Sequence, residues 1–137
     1  AVQIKDAWIC NIGLDFAIFT EKGFNKNEVL LKCVTALKLY FNIDKWQINQ
    51  PIILSDVVAE ILSVEGVATA VKPNDGRDEL IIVTNKWGTR SGNTYSNNIY
   101  DLASATFNGV IYPPVDPATF EIKYPDNDIR GRVLGDI

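Results

Sequence analysis

The sequence predicts an α+β fold: a small, mainly antiparallel sheet with two helices on one face, in the order β-α-α-β-β, followed by an extended, proline-rich arm that holds a short strand. Three observations predict it. A long run near the amino terminus alternates with period two, two later runs carry apolar residues at helical spacing, and the last third places four prolines among aromatic residues.

The alternating run is "DAWICNIGLDFAIFTEKG", with Trp8, Cys10, Ile12, Leu14, Phe16 and Ile18 on one face and Ala7, Asn11, Asp15 and Ala17 on the other. This reads as a strand with one buried side. It is about twice the usual length of ~5–6 residues, so it bends, near Gly13, or projects past its neighbours with an end open to pairing. In "FNKNEVLLKCVTALKLYFN", Asn25 followed by Glu28 has the form of a capping box, and Leu30, Cys33, Val34, Leu37 and Phe41 make an apolar stripe. A helix is expected from there, packed on the strand.

Pro51 keeps the link after Trp46 extended, and Ser55 with Asp56 behind it suits the start of a second helix, whose inner face is Leu54, Val57, Val58, Ile61 and Leu62. Gly66 can close that helix in the left-handed conformation. "VATAV" and "ELIIVTN", joined by "KPNDGRD", read as a β-hairpin. Residues 1–85 thus form the α+β core, and residues 86–137 a loop-rich segment and arm of the same domain. In the arm only "ATFEIKY" has strand character, with Phe120, Ile122 and Tyr124 on one side; Pro113, Pro114, Pro117 and Pro125 stiffen the rest for packing against a partner.

Composition limits the function. The chain has 137 residues, 47% of them hydrophobic, which suits one domain with its own core. Thirteen Lys and Arg against seventeen Asp and Glu give a net charge of -4 with no basic run, so nucleic acid is not an expected partner. No apolar stretch approaches the ~20 residues that span a bilayer, so no membrane partner is expected either. The chain has no methionine, which reads as the mark of a piece of a longer polypeptide.

Histidine is also missing, which removes Ser-His-Asp and Cys-His schemes and histidine-ligated metal sites. Cys10 and Cys33 fall on apolar faces and read as core residues. "DNDIRG" places Asp126, Asp128 and Gly131 at the first, third and sixth positions of a calcium loop, but Arg130 at the fifth and Ile137 at the twelfth break the pattern, leaving a polar turn. Asp75, Asp78 and Glu79 read as solvated turn charges rather than a carboxylate pair for hydrolysis. "KWGTRSGN" lacks phosphate-loop spacing and reads as a mobile loop. No catalytic residue, metal site or cofactor is expected.

Aromatic residues are dense in the last third. Phe107 and Phe120 are expected to roof the sheet, whereas for Tyr95, Tyr100, Tyr112 and Arg130 roofing and interface anchoring both stay open. The candidate interface set is Trp87, Tyr95, Tyr100, Tyr112, Pro113, Pro114, Arg130 and Arg132. Trp87, Tyr95 and Tyr100 also suit an alternative function, stacking platforms for a small ligand or carbohydrate.

The segments "EVLLKCVTALKLYFNIDKWQINQPIILSDVVAEILSVEGV" and "IYDLASATFNGVIYPPVDPATFEIKYPDNDIRGRV" cover over half of the chain. Their order resembles the carboxy-terminal region of the baseplate wedge protein of large contractile-tailed bacteriophages, related to the baseplate J-like proteins. Matching positions are Trp46, Pro51, Gly66, Tyr112, Pro113, Pro117, Tyr124, Pro125, Gly131 and Arg132; the stretch from "KPNDGRDE" to "GTRSGNTYSNN" departs from the pattern. The resemblance implies a virion structural protein, assembled in the host cytoplasm, that forms a homodimer and joins other wedge proteins in a ring around the tail hub. It implies no cofactor and no enzymatic step.

Overall fold

The computed structural model describes residues 7–73 and 79–137 and has the α+β composition the sequence predicts. Strand β1 (Trp8–Thr20) is its axis. It is long because each of its edges takes two partners in succession. Helix α1 (Lys26–Tyr40), the two-residue strand β2 (Ile52–Ile53), helix α2 (Leu54–Leu62), β3 (Val67–Val71) and β4 (Ile81–Asn85) follow in that order. β4 pairs antiparallel with Ile12–Phe16 of β1, and β3 pairs antiparallel with Ala17–Thr20.

The opposite edge is built by the end of the chain. β9 (Ala118–Glu121) pairs parallel with Trp8–Asn11, and β10 (Ile129–Asp136) pairs parallel with Leu14–Thr20. The sheet is therefore mixed, not mainly antiparallel. The amino-terminal end of β1, expected to project, is capped by β9 from the same chain. The expected arm is likewise absent: residues 86–137 supply one whole edge of the sheet, because β1 offers apolar edge positions that the first eighty-five residues do not fill.

The expected hairpin is also corrected. β3 and β4 do not pair with each other; both run antiparallel to β1, end to end, with Val71 opposite Ala17 and Ile81 opposite Phe16. Asn74 to Asp78, most of the expected turn and including Asp75 of the carboxylate cluster, lie outside the described residues.

Cys10, Ile12, Leu14, Phe16 and Ile18 form one cluster with Val29, Cys33 and Leu37 of α1 and Val57 and Ile61 of α2. Burying each such side chain contributes about 1.5–3 kcal/mol. The other face of β1 is not open to water as expected, since Asn11 and Ala17 are buried too. Asn25 caps α1, its side-chain oxygen accepting from the Glu28 N–H at 3.1 Å. α2 begins one residue before the expected cap: Ile53, not Ser55, is its N-cap, with no side-chain bond, and the Leu54 N–H donates instead to the Gly109 carbonyl at 2.9 Å. Gly66 has φ +98° but lies beyond the helix end at Ser63. Its role is close approach, as a Cβ there would sit 2.7 Å from Phe24 and Val29 side-chain atoms.

Within the last third, β5 (Thr89–Arg90) and β6 (Asn93–Thr94) form a tight hairpin where a mobile loop was expected. Ser91 and Gly92, both at positive φ, make its turn. A single-turn helix α3 (Leu102–Ala105) leads into β7 (Thr106–Phe107) and β8 (Val110–Ile111). The expected polar turn "DNDIRG" is a helical turn α4 (Pro125–Asp128), started by Pro125, running directly into β10.

Candidate interaction surfaces

β2, β8 and β7 make a three-stranded ribbon beside the main sheet. Asn108 and Gly109 join β7 to β8 at φ 51° and 76°, the paired positive values of a turn that matches strand twist. One row of the ribbon, Ile52 and Ile111, is buried in the core. The next row, Ile53, Val110 and Phe107, lies on the opposite face by strand alternation. The Tyr112 N–H continues the ladder to the Ala105 carbonyl, which puts Tyr112 on the Val110 side. Ile53 is 37%, Tyr112 48% and Phe107 67% exposed. The ribbon is therefore apolar on both faces, and Phe107 does not roof the sheet as expected.

A second surface lies on the main sheet, on the side of Asp15. Arg130 of β10 sits across from Asp15, and Arg132 across from Ala17. With Ile82, Thr84 and Pro73 they line an open concavity of about 510 Å3. Arg130 also borders a neighbouring concavity of about 400 Å3 of mixed charge, lined by Lys86 and Arg90 and by Asp126 and Asp128. Each arginine is oriented by one backbone acceptor, Nε of Arg130 donating to the Asn127 carbonyl at 3.1 Å and Arg132 to the Pro73 carbonyl. A guanidinium carries five N–H donors, so both keep most of their hydrogen-bonding capacity for another group. Gly131, between them, leaves room for Phe16, whose ring atoms a Cβ would meet at 2.2 Å.

The other candidate residues divide. Tyr95 is buried; its hydroxyl donates to Asp128 at 2.8 Å and its ring meets Tyr124 edge-on, so it is a core residue and no stacking platform. Burial, and then the bond to Asp128, raise its hydroxyl pKa. The Tyr100 hydroxyl donates to the Tyr112 carbonyl at 2.6 Å, and its ring lies against Trp8 and Phe120. Trp87 is half-buried under the Arg90 guanidinium, 3.9 Å from the ring centroid. Pro113 and Pro114 are half-buried beyond β8. Tyr112, Pro113 and Pro114 thus belong to the ribbon, Arg130 and Arg132 to the concavity, and the two groups are separate.

Sequence reasoning missed Ile53, and it assigned Phe107 elsewhere; the Asn108–Gly109 pair between apolar residues is the signal that finds both strands of that hairpin. The two cysteines are core residues. Burial pushes the Cys10 thiol up to about 12 and the Cys33 thiol up to about 11, away from the reactive thiolate. Among the described residues no group of three or more Cys, Asp or Glu is placed to hold a metal ion, and no helix is long and apolar enough to cross a membrane. A scan against protein-family models finds no match to this chain, and a search of curated proteins finds none either.

Proposed function

We propose that this chain is a structural assembly module of a phage tail baseplate, which self-associates, joins neighbouring wedge proteins around the tail hub, and catalyses no reaction. Two things support the reading: the ordered resemblance of residues 28–67 and 99–133 to the wedge protein, and the surfaces the fold leaves open. The observation that carries it is the ribbon with two apolar faces. A contiguous apolar strand row such as Ile53, Val110 and Phe107, open to water, suits a surface that another protein covers. The tyrosine and prolines beside it, Tyr112, Pro113 and Pro114, add rigid contact area at low entropic cost.

The test is co-expression with the products of the genes that flank this one, followed by sedimentation. The chain is expected to travel with a wedge complex, and the Phe107→Ser, Tyr112→Ser double variant to fall out of it while melting at an unchanged temperature. A wild-type chain that sediments alone in the presence of all the flanking gene products sinks the reading.

A further inference from the structure

We infer that a second copy of this chain docks head to tail, with Asp56 and Glu60 on α2 of one copy meeting Arg130 and Arg132 on β10 of the other. The inference deepens the assembly reading and rests on it, naming the partner and the mode of contact.

Charge is segregated along the chain. From Trp46 to Val71 there is no Lys or Arg, only the acids Asp56, Glu60 and Glu65; from Ile129 to Gly135 there are two arginines and no acid. Among the described residues the one ion pair joins Lys38 to Asp126, so these four groups have no internal partner of opposite charge. Among the described residues Asp15, across from Arg130, is the one acid lining that concavity, and Asp126 and Asp128 line the neighbouring one that Arg130 also borders. The Tyr40 hydroxyl pKa is raised by burial and then by Asp56 and Glu60, which places both carboxylates at one corner of the helical layer.

Spacing matches as well as sign. Residues four apart on a helix are about 6 Å apart along its axis, and residues two apart on a strand about 6.5 Å, with side chains on one face. α2 laid along β10 therefore brings each carboxylate to one guanidinium. Ala59, exposed beside Asp56 on the same helix, is small enough to let the helix approach closely. The two patches differ, so each docked copy still presents one of each, and association continues past the dimer or closes into a ring.

The experiment measures the mass of the intact chain by sedimentation velocity over micromolar concentrations. Wild type is expected to associate, at least tenfold more weakly on going from about 0.1 M to about 1 M salt, as the screening length shrinks from ~10 to ~3 Å. The Arg130→Glu, Arg132→Glu variant and the Asp56→Lys, Glu60→Lys variant are each expected to be monomeric. All four positions are surface charges, and circular dichroism checks that both variants fold. An equimolar mixture of the two is expected to re-form a complex, because every reversed charge then meets its opposite. A monomeric wild type, salt-insensitive association, a variant that still associates, or a mixture that does not, overturns the contact. A wild type that is monomeric yet travels with the flanking gene products removes this contact and leaves the assembly reading standing. Self-association without such co-sedimentation does the reverse.

Discussion

The chain up to Asn85 and the chain from Lys86 onward are fastened by different means. In the first region the cluster of Ile12, Leu14, Phe16, Val29, Leu37, Val57 and Ile61 excludes water. In the second, asparagine side chains hold irregular backbone in place. Asn11 accepts from the Ser96 N–H at 2.8 Å and donates to Glu121 at 2.7 Å; Asn85 donates to the Asn11 carbonyl and accepts from the Tyr100 N–H; Asn98 donates to the Ile9 carbonyl. Asn49, at φ 64°, accepts from the Ala118 N–H and donates to Asp116. A carboxamide offers a donor and an acceptor at one site, so it can stand in for a strand where the backbone bends. Burial gives the first region its stability, and polar satisfaction gives the second its shape.

Phe16 belongs to both regions, because its ring packs against Gly131. Phe16→Ala is expected to cost about 3–5 kcal/mol in denaturant titration. If the second region stood independently, amide exchange at residues 95–100 would survive that change; one cooperative unit predicts that protection there falls together with protection in α1.

The folded thiols of Cys10 and Cys33 have raised pKa values, so the neutral form is favoured in the folded chain. Their contribution is whole below the ordinary thiol value near 9 and is lost as pH rises toward about 11 for Cys33 and about 12 for Cys10. The loss by pH 11 is expected to be on the order of 2–3 kcal/mol for each thiol, about 5 kcal/mol for the two, and a Cys33→Ala variant should show a shallower decline above pH 9 than wild type. A slope unchanged by that substitution would assign the decline to the tyrosines.

Asn11→Leu removes the central fastener of the second region and leaves the Ser96 N–H without its partner. The expected cost is about 1–3 kcal/mol, with exchange at Ser96 quickened by more than exchange in α1. Smallest is Asn25→Ala, about 1 kcal/mol from the helix cap, read as a lower midpoint with unchanged denaturant dependence.

Legibility in the sequence follows the same division. Apolar periodicity exposes β1 and α1, and the Asn25 cap is local, so these are readable. β10 is not, because Gly131 and Gly135 occupy two of its four inward positions and halve the alternating signal; Gly131 is glycine to clear Phe16, more than a hundred residues earlier. The Tyr95 bond to Asp128 and the asparagine ties to β1 are long-range, and no local pattern announces them. Of the surfaces, residue type alone marked Tyr112, Arg130 and Arg132, whereas the face each one occupies depends on strand pairing.

The position of β1 between early and late partners has a kinetic consequence. Thr20 and Gly135, which hydrogen-bond to each other, are 115 residues apart. At roughly 5–20 residues per second, translation leaves that edge of the strand bare for about 6–23 s, and closing so large a loop makes for slow folding. A nascent chain in that interval presents the unpaired edge of an apolar strand to its surroundings, so chaperone engagement at the ribosome is expected to set how much of the protein reaches its folded state.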